Sequence, residues 1–473
     1  MQSADWEGER PREPRQREAW RTGDLFGLVR ICSGLFGVVQ AQLEPKPSAR
    51  YRPHRAGDRG KPLPEERRQA TAYRTRAVYF ARMAKFGLDR VIEGGFEQFK
   101  GQSIALVCNQ ASIASDYGHV LDHFLKPHKN GKLRIQCVFG PQHGIWGHTQ
   151  DNMIEWEGYK DPRTGIPFHS LYGENREPTD QMLEGVERIV FDVPDVGSRY
   201  YTFIWTLALC MKACEPKGIP ITVLDRPNPI NGVTVEGAFL DPEFSSFVGL
   251  YPLPMRHGMT VAEVAMYLKQ TQFPDCQLEV VKMEGWDRTK YQDEIDMPWA
   301  MPSPNMPTVD TAVVYPGMCL IEGTQLSEGR GTTRPFEIVG APYVDAWELT
   351  DRLNDLGLSG VRFRAYQFEP TFNKFQGQVC LGTFVHVTDR AEFKPVITAV
   401  ALLQEVWRLY ATEFKWLEPP YEYEYEKNPF DILAGNDWLR PAIEDLCPLA
   451  QIESRFADEC APFLAEWQAI LLY

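Results

Sequence analysis

The stretch VERIVFDVPDVGSRYYTFIWTLALCMKACEPKGIPITVLDRPN, residues 186–228, decides the fold. Val186–Phe191 is a short, Val/Ile-rich run that ends in Asp192-Val-Pro-Asp195. Tyr200–Ala213 has helical patterning, and Ile219–Leu224 is a second such run that ends in Asp225-Arg226-Pro-Asn228. Strand, helix and strand in that order, with apolar strands, is how a parallel sheet buried on both faces is written. The unit recurs upstream, where Ile104–Cys108 runs into Asn109-Gln110 and Ile135–Phe139 into Gln142-His143. Helical candidates there are Tyr117–Phe124 and Thr179–Leu183. Downstream, Thr260–Lys269 opens on Thr260 with Glu263 three residues later, a capping box, and Leu278–Met283 reads as a fifth strand. This alternation predicts an α/β fold with a Rossmann-like, doubly wound sheet and right-handed crossovers. Ligands of such sheets sit beyond the carboxyl ends of the strands, where these polar clusters fall.

The chain is long enough, at 473 residues, for two or three cores. Pro298–Pro307, with four prolines, cannot be helix interior and reads as a rigid connector. It separates a Rossmann-like region, residues 85–308, from a smaller α+β region, residues 309–473. In the latter, Val361–Tyr366 and Thr383–Val387 read as strands, Ala399–Tyr410 as an amphipathic helix and Tyr421–Tyr425 as a solvated or edge segment. Residues 1–82 carry 17 Arg and Lys against 10 Asp and Glu, and the low-complexity tract Glu9–Glu18 reads as disordered. Globular composition starts at Met83, which is an alternative start of the protein.

Net charge of −14 argues against nucleic acid and anionic membrane as partners, and no apolar stretch reaches the roughly 18–20 residues of a spanning helix. Leu25–Gln42 resembles a signal-peptide core but is interrupted by Arg30. Cys108, Cys137, Cys210 and Cys319 lie inside apolar runs as small core residues do, which favours a reduced, cytoplasmic protein over a periplasmic or secreted one. Cys210 and Cys214, four apart, lack the partners that would complete a zinc pattern, and no metal is expected.

Neither a P-loop nor a Gly-x-Gly-x-x-Gly turn follows the first strand, so no dinucleotide cofactor is expected. A Gly-x-Ser-x-Gly elbow is also missing. Asp192 and Asp195 at a strand end suit acid/base work, the orientation of sugar hydroxyls or the holding of a metal. A blander reading has Asp192 capping a turn and Asp195 pairing with Arg199. Glu322–Glu337, holding Glu328, Arg330 and Arg334 among glycines, suits close approach to a carboxylate or phosphate. His143 and His257 each lie beside a glycine.

These segments resemble one family. Gly-Pro-Gln-His-Gly (140–144), Ser-Leu-Tyr-Gly (170–173), residues 191–202, Leu-Asp-Arg-Pro-Asn-Pro-Ile-Asn-Gly (224–232), Arg-His-Gly-Met-Thr (256–260) and residues 328–337 are similar to motifs of the NamZ-type exo-β-N-acetylmuramidases. The resemblance implies a two-domain cleft, no cofactor, and hydrolysis of terminal β-1,4-linked N-acetylmuramic acid (MurNAc) from peptidoglycan-derived saccharides. Taken with the strand-end reading and the acids nearby, the catalytic candidates are Gln142, His143, Glu155, Asp192 and Asp195. Substrate-binding candidates are Asn109, Arg199, Tyr200, Asp225, Arg226, Asn228, Glu236, His257, Glu328, Arg330 and Arg334. Oligomeric state stays open.

One departure bears on the chemistry. The family reads Pro-Glu-His-Gly, and its glutamate is the proposed catalytic residue; here Gln142 stands in its place, an amide that cannot act as a general acid. Glycoside hydrolysis ordinarily uses two carboxyls. Glu155 or Glu157 just downstream, or Asp192 or Asp195, are candidates to supply the proton. Alternatively Gln142 orients the N-acetyl group while the substrate assists its own cleavage. The departure also leaves open a related glycosidase of shifted specificity, or a saccharide-binding protein without turnover.

Overall fold

Strands β1 (Ser103–Cys108), β2 (Arg134–Gly140), β3 (Tyr159–Lys160), β4 (Pro167–Ser170), β5 (Arg188–Asp192), β6 (Ile221–Leu224) and β9 (Leu278–Val281) build the larger sheet in the order β3-β4-β2-β1-β5-β6-β9. All its pairings are parallel except that of the short β3 with β4. The computed structural model describes residues 84–151 and 153–473. The basic tract, the Leu25–Gln42 run and the Met83 start lie outside the described residues.

The chain moves outward from β1 to β2 and β4, then returns to lay β5 on the other side of β1. The β1/β5 boundary is therefore the switch point at which such sheets open a crevice. Every residue of β5 and β6 is buried, as central parallel strands covered on both faces are. Helix α1 (Gly87–Glu93) precedes β1, and α2 (Val120–Lys129) joins β1 to β2. Helix α3 (Phe203–Cys214) has ten of its twelve residues buried, so it is apolar all round and packed on more than one side. Helix α4 (Val261–Thr271) starts where its capping box sets it. Thr260 Oγ1 accepts from the Glu263 N–H, and Glu263 Oε2 accepts from the Thr260 N–H.

A two-stranded ribbon, β7 (Glu236–Phe239) with β8 (Pro254–Arg256), lies between β6 and α4 in sequence. The smaller sheet is antiparallel, with β10 (Ile338–Ala341), β11 (Val361–Phe368) and β12 (Cys380–Val387) in the order β10-β12-β11. Helices α5 (Val309–Met318), α6 (Ala346–Asp355) and α7 (Pro395–Tyr410) accompany it, followed by α8 (Pro429–Ala434), α9 (Leu439–Glu444) and α10 (Leu449–Ile470). One continuous apolar core runs from β1, β2 and β5 through α3 and α5 to β10, β11 and α7. Its tightest crossing is at Gly317 of α5, where an added Cβ would lie 1.9 Å from the carbonyl oxygen of Pro395 at the start of α7.

The four strand-forming runs, the fifth strand and the capped helix are where the sequence places them. Two helices are displaced: the first begins at Val120 behind His119, and the second at Phe203 rather than Tyr200. Thr179–Leu183 forms turns, not a helix. Pro298–Pro307 has no regular element, as four prolines dictate.

Candidate functional site

A small cavity opens beyond the carboxyl end of β2. Gln142 and His143 reach it from the loop after β2, and Tyr201 and Thr202 from the loop between β5 and α3. Ser303 and Asn305 come from the proline-rich connector. Glu322, Arg330, Tyr421 and Glu422 come from the second half of the chain.

Gln142 is held at both ends of its amide. Its Oε1 accepts from the Thr202 hydroxyl at 2.7 Å, and its Nε2 donates to the Tyr172 hydroxyl oxygen at 3.2 Å. Tyr172 in turn donates to Glu422 Oε2 at 3.1 Å. Burial, and then the charge of Glu322, push the Glu422 carboxyl up to about 7. Beside it, Glu322 accepts from Arg330 at 2.6 Å and from the Tyr421 hydroxyl at 2.8 Å. Arg330 also lies 3.2 Å from Glu328, which accepts from Lys374 at 2.9 Å. Burial pushes the Glu328 carboxyl up, but Lys374 and Arg330 outweigh it and hold it below the usual range.

His143 stands in the left-handed region, at φ +66°, which a residue with a Cβ occupies only under constraint. Its Nδ1 meets the Thr149 carbonyl at 2.8 Å. A carbonyl only accepts, so Nδ1 carries the proton and Nε2 keeps a lone pair. Burial lowers the imidazole to about 4, so the ring is neutral at physiological pH.

The other candidates are distributed as follows. Asp192 is gripped by Arg226 through two bonds of 2.7 and 2.8 Å, with both side chains buried. Both of its carboxyl oxygens are taken up by that fork. Asp195 accepts from the Gly197 N–H at 2.6 Å and from His257 Nε2 at 3.1 Å; among the described residues its Oδ1 is buried without a hydrogen bond. Asp195 does not pair with Arg199. The Arg199 guanidinium donates to the carbonyls of Ala238, Leu253 and Leu433 and fastens β7, β8 and α8 together. Tyr200 lines the cavity and gives its hydroxyl proton to the Pro316 carbonyl.

Asp225 is buried and accepts from the Ala262 N–H and the hydroxyls of Thr260 and Tyr473; burial pushes its carboxyl up to about 7. Asn228 donates to the Met259 carbonyl, and Asn109 to that of Pro302. Glu236 accepts from Val396 and Ile397 at the start of α7. Arg334 pairs with Glu337 and is half exposed. Glu155 accepts from the Tyr423 hydroxyl and, with Glu157, lines a different cavity around Trp156 and His169. Among the described residues, no three His, Cys, Asp or Glu side chains converge as a metal site requires.

Sequence reasoning did not single out Tyr172, Glu322 or Glu422. Tyr172 and Glu322 lay inside segments marked as informative, but Glu422 was hidden by the Tyr-Glu alternation of 421–425. That segment is not solvated throughout. Tyr421 and Glu422 are buried, while Tyr425 is exposed. Tyr421 and Glu424 exchange both backbone hydrogen bonds, closing a two-residue hairpin turn. Glu422 (φ +44°) and Tyr423 (φ +69°) are its central residues. Turns with two positive φ values favour Asn-Gly, so nothing in Glu-Tyr signals this one.

Residues 104–310 match the family model for exo-β-N-acetylmuramidase NamZ, N-terminal, and residues 313–473 match its C-terminal counterpart. The chain is 41% identical over 387 residues to the peptidoglycan β-N-acetylmuramidase NamZ of Bacillus subtilis (strain 168), covering 82% of this chain and 91% of that protein. Two DUF1343-family crystal structures from Bacteroides fragilis NCTC 9343 superpose with TM-scores of 0.74 and 0.62. They are 28% and 26% identical, and cover 83% and 82% of this chain and 99% of each of those. With both halves matched in order and a relative this similar along most of its length, the chain belongs to the NamZ exo-β-N-acetylmuramidase family.

Proposed function

We infer that this protein is a glycoside hydrolase that releases terminal β-1,4-linked MurNAc from the non-reducing end of peptidoglycan-derived saccharides. The observation that carries the reading is the 41% identity to a peptidoglycan β-N-acetylmuramidase across most of both chains. The residues lining the cavity suit the substrate. The lactyl carboxylate of MurNAc needs a cation, and Arg330 lines the cavity, shared with Glu322 and Glu328, whereas Arg226 and Arg199 are engaged by Asp192 and by carbonyls. Gln142, with its amide fixed at both ends, is suited to orienting the N-acetyl group. His143, neutral and with a lone pair on Nε2, is suited to holding a water.

The cavity draws Gln142 and Tyr201 from before residue 308 and Glu322, Arg330 and Glu422 from after it, which supports reading 85–308 and 309–473 as two lobes that complete one cleft. Among the described residues no helix is long and apolar enough to cross a membrane. The nine described cysteines are free, and eight are buried, which suits work on recycled or imported fragments in the cytoplasm.

The test is incubation of the purified full chain with MurNAc–GlcNAc and, separately, GlcNAc–MurNAc, following free MurNAc by mass spectrometry. Release from the first disaccharide alone is expected. Release from neither, with binding still measurable by calorimetry, would make the cleft a saccharide-binding site without turnover.

A further inference from the structure

The structure carries an acid that the family's motif does not supply. We propose that Glu422, at the tip of the hairpin turn closed by Tyr421 and Glu424, is the general acid that protonates the glycosidic oxygen, replacing a carboxyl at position 142. The proposal rests on the hydrolase reading above and deepens it.

Three independent observations carry it. First, Glu422 lines the same cavity as Gln142 and is joined to it by one hydroxyl: Gln142 donates to Tyr172, and Tyr172 to Glu422 Oε2. Oε1 takes no hydrogen bond from the described residues, so it is the atom left to carry the proton. Second, the turn is built at a conformational cost. Glu422 and Tyr423 both hold positive φ, which residues with a Cβ adopt only when their surroundings enforce it. Tyr423 is held there by the Arg176 guanidinium, 3.4 Å from its ring centroid, and by its bond to Glu155. Third, the groups facing Glu422 keep it protonated near neutrality. Burial and the charge of Glu322 favour the acid form, opposed by the Tyr172 bond, Arg176 and Arg330, with the balance at about 7. A carboxylate on the substrate beside Arg330 adds a further negative charge and holds the proton more firmly.

The step balances within the site. Glu422 gives its proton to the glycosidic oxygen as the bond to C1 breaks. The water that replaces the leaving group at C1 leaves one proton behind, which returns the carboxylate to its acid form.

The experiment compares Glu422→Gln with the parent on MurNAc–GlcNAc and on a 2,4-dinitrophenyl β-MurNAc glycoside, whose leaving group needs no proton. The expected result is a loss of about 10²–10⁴ in kcat/KM on the disaccharide, with only a few-fold change on the activated glycoside. Equal losses on both substrates, or undiminished disaccharide cleavage, overturn the proposal. So does an acid-like loss found in Glu155→Gln instead. If the parent itself releases no MurNAc, the hydrolase reading falls, and this assignment with it. Should Glu422→Gln not fold, the parent's pH profile decides. An alkaline limb near 7 is expected with the disaccharide and not with the activated glycoside. A limb common to both, or present in neither, overturns the assignment.

Discussion

Glu422→Gln should make the protein more stable at neutral pH while it removes activity, and the size of the gain follows from where the residue sits. The Glu422 side chain is almost wholly buried, and its carboxyl is raised from 4.5 to about 7. In the unfolded chain it ionises near 4.5; in the folded chain it holds its proton until about 7. Between those values the folded state binds more protons, so stability falls as pH rises through the window and levels off above it. The gap corresponds to about 3 kcal/mol at the upper plateau and nothing below pH 4.5. Glutamine has nearly the same shape and no charge to bury, so the variant escapes that loss. Asp225 and Glu236 are also raised to about 7 by burial, but they are common to both proteins and cancel in the comparison. The assay is urea unfolding of parent and variant at pH 5, 6, 7 and 8. The difference in unfolding free energy should widen in favour of the variant by about 2–3 kcal/mol from the lowest pH to the highest. A difference that stays constant with pH, or that narrows, would refute the reasoning, because Glu422 would then not be held as a buried acid.

Other consequences are open to measurement. Arg226→Leu leaves Asp192 buried and unpaired and should destabilise by about 3–5 kcal/mol in chemical unfolding, whereas Asp192→Asn combined with Arg226→Met should lose markedly less. Gly317→Ala drives a methyl group into the Pro395 carbonyl, where backbone has no room to yield. A loss of at least about 1–3 kcal/mol, read as a lowered Tm, is expected. Gln142→Glu adds a like charge two hydrogen bonds from Glu422, so the alkaline limb of kcat/KM should move up by about one pH unit. An unmoved limb would separate residue 142 from the acid.

The larger sheet was legible because its strands are buried on both faces, so their composition alone marks them. The start of α4 was legible because a capping box is a local hydrogen-bond pattern. What stayed hidden depends on tertiary packing. Helix α5 carries a proline and a glycine within its last turns, and only its crossing with α7 makes that glycine necessary. The site divided along the same line. Gln142, His143, Tyr200 and Arg330 were marked by motifs and do line one cavity. Asp192, Arg226 and Asp225 were marked equally strongly, yet their side chains are consumed in fixing strand-end loops to one another. Sequence shows that a polar residue stands at a strand end; whether it meets a ligand or a neighbour is decided by loops that fold over it. Glu422 arrives from nearly 300 residues away, on a turn whose residues contradict its backbone.

Gln142 and Glu422 make sense together rather than as a loss and a coincidence. The Gln142 amide nitrogen is a donor only, so the Tyr172 oxygen must accept from it, and the single Tyr172 hydroxyl proton is left to point at Glu422. The Thr202 hydroxyl fixes which end of the amide faces Tyr172, because it donates to Oε1. A carboxylate at position 142 would compete for the same hydroxyl proton and place a second negative charge one link from Glu422. An amide there directs the hydroxyl one way and leaves one carboxyl of the pair to titrate near neutrality. On this reasoning an amide at position 142 and an acid at position 422 share one hydrogen-bonded chain, and the chain, not the single position, defines where the proton is kept.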